Sequence, residues 1–427
     1  MSVLALSVLE GTEPSPIWNV PAMRRAPWTA AACCRFGGGR SLLRVASAGG
    51  LRIFLSIPPR PQQAARRRAA AGCRSPRRCA RVFRVAIAIV FCLSLFRAEA
   101  APPPDATMGA ALKFLATQQQ PDGSFGGPQP HLKTAFAMLA IISTGERRVP
   151  GLVEHSAAYL VKDANASGFL GDEAFPIESH SVVLAALVSA HARLPATTTR
   201  TEAGECIQRG LRYLLQLQDR SSAAASRGGW SMEAKPGRPN DRRATGWALL
   251  ALRTARAHGL DVPQASAERA TNFVLGSFKA QADNASQVGG FSVDTEGLAV
   301  EMMSALGGWV LATFPAKEDF RQPNLAWLAK HPPAWIGPNY FYSAFFRLRA
   351  LKFSAASAAL AEAQSQRLFT QISDHQKADG SILFPPANAQ NTIAMGPVFS
   401  TAMAVLILNT GESRLAADED FRLRPLF

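Results

Sequence analysis

Residues 209–230 read RGLRYLLQLQDRSSAAASRGGW, and this stretch decides the fold. A segment with helical apolar spacing, Tyr213 to Gln218, leads to the turn Gly228-Gly229-Trp230. Paired glycines allow the positive φ of a sharp reversal, and the aromatic residue after them can fix the turn to a core. The stretch therefore predicts a helix, a tight turn, and a second helix that starts after the turn.

The same order of helix, glutamine and glycine-rich turn recurs along residues 105–427. Such self-similarity is typical of repeat architectures. The copies run from Phe114 through Gln118 to Phe125, from Tyr213 through Gln216 to Trp230, from Phe278 through Gln281 to Phe291, and from Ile372 through Gln376 to Phe384, with a looser copy from Ala158 to Leu170.

Each turn is followed by a second run that is apolar nearly all round, whereas the first helix of each pair is amphipathic. A helix without a polar face is buried against other helices. A Ser or Thr at the start of such a run suits an N-cap. The second runs begin at Thr134, Ser181, Thr245, Glu296, Tyr342 and Thr401.

Six helix pairs can be counted, the fifth of which (325–352) lacks the glutamine. No strand alternation of useful length appears, and no linker interrupts the series. We therefore predict an all-α fold in which one α/α toroid of about six helix hairpins, with an inner and an outer ring, occupies residues 108–412.

The charge of the chain is concentrated at one end. Lys and Arg number 46 against 31 Asp and Glu, a net charge of +15, yet residues 1–100 carry +13 of it and the remainder only +2. A basic nucleic-acid-binding domain is therefore excluded. Five of the six cysteines also lie in the first hundred residues, so Cys206 has no partner for a disulfide within the main domain.

The end of this basic region has the form of a secretory signal. Arginines precede the twelve-residue apolar run 85–96, and Ala98-Glu99-Ala100 supplies a cleavage site. Twelve residues are too few to span a bilayer, so no integral membrane span is expected after cleavage near Ala100. We expect an exported protein, periplasmic or extracellular. Residues 1–76 are interpreted as a disordered or spurious extension, 77–100 as the signal helix, 101–107 as a linker and 413–427 as a C-terminal tail.

The repeat resembles that of terpenoid cyclases and protein prenyltransferases, most clearly at Arg209-Gly210-Leu-Arg-Tyr213-Leu-Leu-Gln216 through Gly229-Trp230. The likeness covers about residues 105–412. It implies a toroid of six inner and six outer helices, of the squalene-hopene cyclase type. Fold alone does not fix function.

The catalytic motifs of these families are missing. Squalene-hopene cyclases carry an Asp-x-Asp-Asp acid, and the nearest match here, Asp418-Glu419-Asp420, is expected to be a solvated cluster in the tail. No Asp-Asp-x-x-Asp magnesium site is present, and Cys206 lacks the neighbours of a prenyltransferase zinc site, so it is interpreted as a buried structural cysteine. The histidines show no ligand spacing. The sequence thus indicates neither a metal nor another cofactor.

Polar residues gather where the inner helices should begin, at one mouth of the ring. The catalytic candidates are four carboxylates and one imidazole, which come from three repeats and are expected to converge there. For most of them the alternative is a structural role, in which an acidic residue in the first turn of a helix stabilises that helix. Glu301 stands inside an apolar run, so it reaches a polar cavity, pairs with Arg243 or Arg347, or faces out. The candidates are Glu178, His180, Asp241, Glu296 and Glu301.

The ligand-binding candidates are His131, Arg242, Trp247, Tyr340 and Tyr342. Aromatic residues concentrate on the second helices, where they either line a cavity or fill the core. The leading hypothesis is an exported toroid that binds an apolar or isoprenoid small molecule in its central cavity. A hydrolase or lyase of an extracytoplasmic polysaccharide, acting through cavity carboxylates, and a non-catalytic envelope scaffold remain open alternatives.

Overall fold

The computed structural model describes residues 42–44, 54–56, 104–145, 151–219, 227–235, 238–283, 286–294, 296–313, 318–336, 339–354, 357–383, 395–415 and 417–418. The chain divides into two units, 1–95 and 96–427. In the first, β1 (Leu42–Arg44) pairs antiparallel with β2 (Phe54–Ser56). The predicted signal helix at 77–100 lies outside the described residues. Within the described ranges, no helix combines the length and apolar character needed to cross a membrane.

The described part of the second unit contains twelve helices that alternate between two rings. The outer helices are α1 (Pro104–Gln118), α3 (Leu152–Lys162), α5 (Thr198–Leu217), α7 (Gln264–Leu275), α9 (Glu318–Lys330) and α11 (Ala358–Ser373). The inner helices are α2 (Pro130–Ser143), α4 (Pro176–His191), α6 (Arg242–Ala257), α8 (Glu301–Thr313), α10 (Tyr340–Lys352) and α12 (Gly396–Leu408).

The inner helices form a closed circle. Each contacts the next inner helix along the chain, and α12 returns to contact α2. Every outer helix from α3 onward packs on the inner helix before it, and α1 packs on α12. The predicted all-α toroid of six helix pairs is therefore confirmed.

Burial of the two helix types follows their sequence patterns. In α4, every residue from Ile177 to Ala190 is buried, because other helices surround it. In α5, the buried residues recur three or four apart, which leaves the opposite side in solvent.

The glutamine of the repeat has a defined structural task. Gln218 donates through Nε2 to the carbonyl oxygens of Gly228 (2.9 Å) and Ser266 (2.8 Å), which joins the turn to the start of α7. Gln119 and Gln376 make the equivalent pairs of bonds in their repeats. In the first two copies of the repeat, the glutamines that make these hydrogen bonds are therefore Gln119 and Gln218.

The Ser and Thr residues of the second runs do not cap their helices. Thr245 lies inside α6, where its Oγ1 accepts from the backbone N–H of Trp230 at 3.0 Å. Thr134, Ser304 and Thr401 accept in the same way from the turns of their own repeats. Their role is to attach the turn to the inner helix, so the N-cap interpretation was wrong.

Two further expectations need correction. The fourth turn is a β-hairpin, in which β5 (Phe278–Asp283) pairs with β6 (Ser286–Phe291), so strands of useful length do exist. A shorter pair, β3 (Trp230–Ser231) with β4 (Asn240–Asp241), precedes α6. The following inner helix begins at Glu301 and not at Glu296, because the hairpin and the loop after it use those residues.

The described part of the C-terminal segment, up to Asp418, packs against the ring, and residues 419–427 of the predicted tail lie outside the described residues. Asp418 is buried and accepts two bonds from the Arg349 guanidinium, at 3.1 and 2.8 Å. Arg253 donates to the carbonyl of Ala417, and Arg414 donates its backbone N–H to Ser143. These partners stand at the carboxyl ends of α10, α6 and α2. The segment therefore covers that end of the ring and leaves the amino ends of the inner helices as the mouth.

Candidate binding site at the mouth of the ring

Five of the six inner helices contribute residues from their amino ends to one cavity of about 150 Å³. The predicted convergence of these helix starts is therefore present, with α8 as the inner helix that does not take part. The walls combine apolar and polar side chains, in the mixture expected of a small-molecule pocket. The lining residues are Gln129, Leu132, Phe175, Glu178, Arg243, Asn339, Phe341, Tyr342, Met395 and Phe399.

A buried polar cluster occupies one wall. Glu178 is 3% exposed; its Oε1 accepts a hydrogen bond from the Tyr342 hydroxyl, and its Oε2 lies 3.6 Å from Nε of Arg243. Burial raises the pKa of Glu178 above its ordinary value, although Arg243 and Tyr342 oppose the shift. Burial likewise holds the pKa of Tyr342 well above its ordinary value. The phenol therefore stays a proton donor toward the carboxyl group.

Local helix geometry decides which arginine reaches this cluster. Successive residues of a helix point about 100° apart, so Arg242 and Arg243 face different surroundings. The guanidinium of Arg242 lies 4.8 Å from the centre of the Phe273 ring and donates to the carbonyl of Val293. Arg243, which lines the cavity, thus takes the position that Arg242 was expected to hold.

Two residues at the mouth adopt a backbone that side chains disfavour. Gln129 (φ 52°) precedes α2 and Asn339 (φ 60°) precedes α10, and both line the cavity. A non-glycine residue keeps a left-handed backbone only where the surrounding structure holds it there. Residues of this kind are enriched at functional sites. The Gln129 side-chain oxygen is also buried without a hydrogen-bond partner. An unpaired buried acceptor beside a cavity can accept a hydrogen bond from a molecule in that cavity, whether water or a ligand.

The centre of the ring below this cavity is filled by aromatic side chains. Trp247 lies 5.5 Å from Phe136, 5.2 Å from Tyr342 and 5.1 Å from Phe346, measured between ring centres. All are buried or nearly so. Trp247 thus belongs to a packed core and does not line the mouth cavity.

His131 lies outside the cavity, in an ion-paired cluster. Its Nδ1 is 2.9 Å from Oδ1 of Asp172 and its Nε2 is 3.4 Å from Oδ2 of Asp163. Burial lowers the pKa of His131, but the two carboxylates outweigh burial and the pKa is raised. The cluster joins the start of α2 to the loop before α4.

His180 stands at the inner-helix position where other repeats have a threonine or serine that accepts a hydrogen bond from the turn. Its Nδ1 accepts from the backbone N–H of Leu170 (3.0 Å), and its Nε2 donates to the carbonyl of Gly210 (3.0 Å). The ring is fully buried, and burial lowers its pKa to about 4. The neutral ring is thus engaged at both nitrogens.

The remaining candidates do not line the cavity. Asp241 is the N-cap of α6 and accepts from the backbone N–H of Ala244. Glu296 is exposed in the loop before α8, and Tyr340 donates to Gln371 at 3.0 Å. Glu301 has one buried, unpaired oxygen, and burial raises its pKa against the opposing charge of Arg347. Of the ten candidates, Glu178 and Tyr342 line the cavity.

The sequence reasoning passed over Gln129, Phe175 and Met395. A usable signal was present, because Gln129 and Phe175 each stand directly before a proline and Met395 stands one residue further from Pro397. Proline is favoured in the first turn of a helix. The residue before it therefore marks the helix start and, in this ring, the mouth.

No family model matches the sequence, and no curated protein sequence matches it. Among solved structures, the apo form of the type II terpene cyclase MstE from Scytonema is similar, at 15% identity over 72% of this chain and 98% of that chain, with a TM-score of 0.45. A protein from Actinoplanes is similar at 16% identity over 74% and 99% of the two chains, with a TM-score of 0.43. These are likenesses of fold, and the toroid assignment here is based on the helix contacts described above.

Proposed function

We propose that this protein binds the small, branched apolar end of an isoprenoid-type molecule in the cavity at the mouth of the ring, with a hydroxyl group held by Gln129. The observation that supports it most is the unpaired, buried Gln129 oxygen at a cavity whose other walls are largely apolar. The proposal narrows the hypothesis of an apolar or isoprenoid small molecule in the central cavity to a ligand end at the mouth, because aromatic side chains fill the centre.

The size of the cavity supports a short group. A cavity of about 150 Å³ in an apolar protein core accommodates a molecule the size of benzene. The cavity here has the same volume. A five-carbon branched unit fits such a space, whereas a longer chain has to continue outside it. Leu132, Phe341 and Phe399 supply the apolar contacts.

The polar wall of the cavity favours a ligand whose head group is uncharged. Glu178 and Arg243 offset each other, and Tyr342 already donates to Glu178. Gln129 offers an acceptor, so the matching ligand group is a donor such as a hydroxyl. Burying that donor against the amide satisfies an oxygen that is otherwise unpaired.

The polysaccharide hydrolase or lyase has less support. Glycoside hydrolysis uses two carboxyl groups on either side of one bond, and the proposed lyase likewise relies on carboxylates gathered in one cavity. Glu178 lines the cavity, but Asp241 caps a helix and Glu296 lies in an exposed loop. We therefore propose binding, with the non-catalytic envelope scaffold as the second candidate.

We also propose that binding takes place after export, on the basis of the signal pattern at residues 77–100. Fusing the first 107 residues to alkaline phosphatase, which is active only outside the reducing cytoplasm, tests this. Activity of the fusion is expected, and an inactive fusion that accumulates in the cytoplasm contradicts export.

Calorimetric titration with 3-methyl-2-buten-1-ol and with the hydrocarbon 2-methyl-2-butene tests the proposed ligand. We expect saturable binding of both, with Gln129→Met weakening the alcohol about fivefold, the value of one neutral hydrogen bond, and leaving the hydrocarbon unchanged. Gln264→Met, an exposed glutamine away from the cavity, is the matched control. Absence of binding of either compound, or equal weakening of both by Gln129→Met, overturns the proposal.

A further inference from the structure

A second, larger space lies beside the mouth cavity. It is an open groove of about 540 Å³ between the loop before α4, helix α5 and the turn after β3. We call it the outer groove. Its lining residues are Asn165, Ser167, Phe169, Glu173, Ala174, Pro176, Tyr213, Met232, Glu233, Ala234 and Lys235.

The two spaces share a wall that is about one residue thick. Ala174 and Pro176 line the outer groove, while Phe175 between them lines the mouth cavity. Arg243 continues this wall: its guanidinium lies 5.7 Å from the centre of the Phe175 ring, and its Nη2 is 3.5 Å from Sδ of Met232, which lines the groove. The half-buried Phe175 side chain thus separates a small apolar space from a larger polar one.

The floor of the outer groove is aromatic and firmly supported. The rings of Phe169 and Tyr213 are 5.8 Å apart, and both rest on His180, at 5.9 and 5.1 Å. Because backbone groups hold both nitrogens of His180, this ring cannot turn away from the two aromatics above it. His180 is therefore a positioning residue for the groove floor.

The rim of the outer groove is polar and electrically balanced. Glu173, Glu233 and Lys235 line it, and Arg238 pairs with Glu233 at 3.1 Å. Two negative and two positive groups leave no net charge to attract an ion. Carboxylates, an amide and an ammonium group together offer both acceptors and donors, which suits a hydroxyl-rich group.

Backbone strain marks the groove as it marks the cavity. Among the described residues, the non-glycine residues with positive φ are Gln129, Ala234 and Asn339. Ala234 lines the groove and the other two line the cavity. Strain of this kind persists where the local structure requires it, and in this chain all three instances fall at these two spaces.

We propose that the outer groove binds a sugar, so that the protein's ligand is an isoprenoid glycoside whose apolar end enters the mouth cavity and whose sugar supplies the hydroxyl that donates to Gln129. A sugar ring has apolar C–H faces that match Phe169 and Tyr213, and a rim of hydroxyls that match the groove's polar groups. This inference rests on the proposed function for the apolar half, and it adds the chemical class of the polar half.

Titration with geraniol and with its β-D-glucoside, galactoside, mannoside and N-acetylglucosaminide tests the proposal. We expect at least one glycoside to bind about 25-fold more tightly than geraniol, since each of two added hydrogen bonds is worth about fivefold. Tyr213→Leu is expected to abolish that gain and to leave the affinity for geraniol unchanged. Tyr159→Leu, which removes a half-buried tyrosine that packs on His131 at 5.3 Å, is the matched control and keeps the gain.

The outcomes separate the two proposals. Glycosides that bind no better than geraniol, or a gain that survives Tyr213→Leu, overturn the sugar site. A larger gain for geranyltrimethylammonium than for every glycoside overturns it in favour of a cation on the aromatic floor. If free methyl glycosides bind and lose affinity in Tyr213→Leu while geraniol does not bind, the sugar site stands and the proposed apolar ligand fails. Failure of every compound contradicts both.

Discussion

At the scale of single residues, the site depends on polar groups held inside an apolar ring. Glu178 is buried with Tyr342 and Arg243 as partners, and Gln129 presents an unpaired oxygen beside them. A buried carboxyl group is tolerated only with such partners, because its desolvation is costly. The cluster is therefore both a structural requirement and the polar wall of the cavity.

Replacing Tyr342 by Phe removes one hydroxyl and no packing volume. We expect Tyr342→Phe to lower the free energy of unfolding by about 1.5–3 kcal/mol, the range for hydrogen bonds to charged groups. Tyr340→Phe is the matched control: its hydroxyl donates to the neutral Gln371, so a loss of about 0.5–1.5 kcal/mol is expected. Urea unfolding of the three proteins measures this. Equal losses contradict a stronger hydrogen bond from Tyr342 to the buried Glu178 than from Tyr340 to Gln371.

The pKa values of two histidines are expected to be shifted in opposite directions. His131, between two carboxylates, has a pKa above its ordinary 6.5, and buried His180 has a pKa of about 4. Imidazole NMR shifts followed from pH 3.5 to 8.5, assigned with His131→Gln and His180→Gln, measure both. A His180 that titrates near 6.5 contradicts its burial between two backbone partners.

The same shifts fix the sign of the pH dependence of stability. The raised pKa of His131 stabilises the fold fully below pH 6.5, and this contribution is lost as the pH rises through the folded-state pKa. The lowered pKa of His180 stabilises the fold above pH 6.5 and is lost as the pH falls toward 4. His131→Gln should therefore cost stability at pH 5.5 and little at pH 8.5, in unfolding curves recorded at each pH.

At the scale of elements, the repeat turn explains why its glycines are required. Gly228 has φ 96°, and a Cβ atom there would lie 2.4 Å from the carbonyl oxygen of Arg269 in α7. Gly123, Gly168 and Gly380 approach the backbone of the adjoining outer helix in the same way. Each turn thus packs directly on the next helix, and the repeat glutamine joins the two by hydrogen bonds.

Replacing Gly228 by alanine tests the close contact between the turn and the adjoining helix. A control glycine with positive φ and no close contact measures the effect of φ alone. We expect Gly228→Ala to destabilise the protein by about 3 kcal/mol, because strain and a backbone clash add. Gly259→Ala is the control, since Gly259 has φ 78° with nothing within 4 Å of a Cβ, and a cost of about 1 kcal/mol is expected. Thermal and urea unfolding compare the two. Equal costs contradict the close approach of turn and helix.

The sequence predicted which helices exist better than it predicted where each helix begins. Helix pairs follow from apolar periodicity, which is a local property, and six pairs were found in order. The start of α8 at Glu301 and the β5–β6 hairpin depend on pairing across a turn, which periodicity does not report. Arg243 and not Arg242 reaches the cavity because of helix phase, and one residue of phase is finer than a sequence pattern resolves.

At the scale of the whole molecule, the ring has two different ends. The amino ends of the inner helices surround the mouth cavity, and the segment ending at Asp418 covers the opposite end through Arg349 and Arg253. The sequence predicted a solvated acidic cluster there, because an Asp-rich stretch near a terminus is usually exposed. The buried Arg349 that pairs with Asp418 comes from a distant helix, and such a contact is a tertiary property that a local pattern does not report.

Breaking the buried pair at the covered end should destabilise the ring strongly. We expect Asp418→Ala to cost about 3–5 kcal/mol, since it leaves a buried guanidinium without its partner. The double variant Arg349→Leu/Asp418→Ala is the control, and it should recover much of this loss because no unpaired charge remains. Urea unfolding measures both. A neutral Asp418→Ala contradicts the docking of the C-terminal segment.

The central claim, that a small apolar ligand enters the mouth cavity, is tested most directly by methionine methyl NMR. Met395 lines the cavity, Met232 lines the outer groove, and Met403 is buried in α12 away from both spaces. Titration of ¹³C-methyl-labelled protein with 3-methyl-2-buten-1-ol should shift the Met395 methyl resonance saturably and leave those of Met232 and Met403 in place. A Met395 resonance that stays fixed while another methyl group shifts saturably contradicts the account.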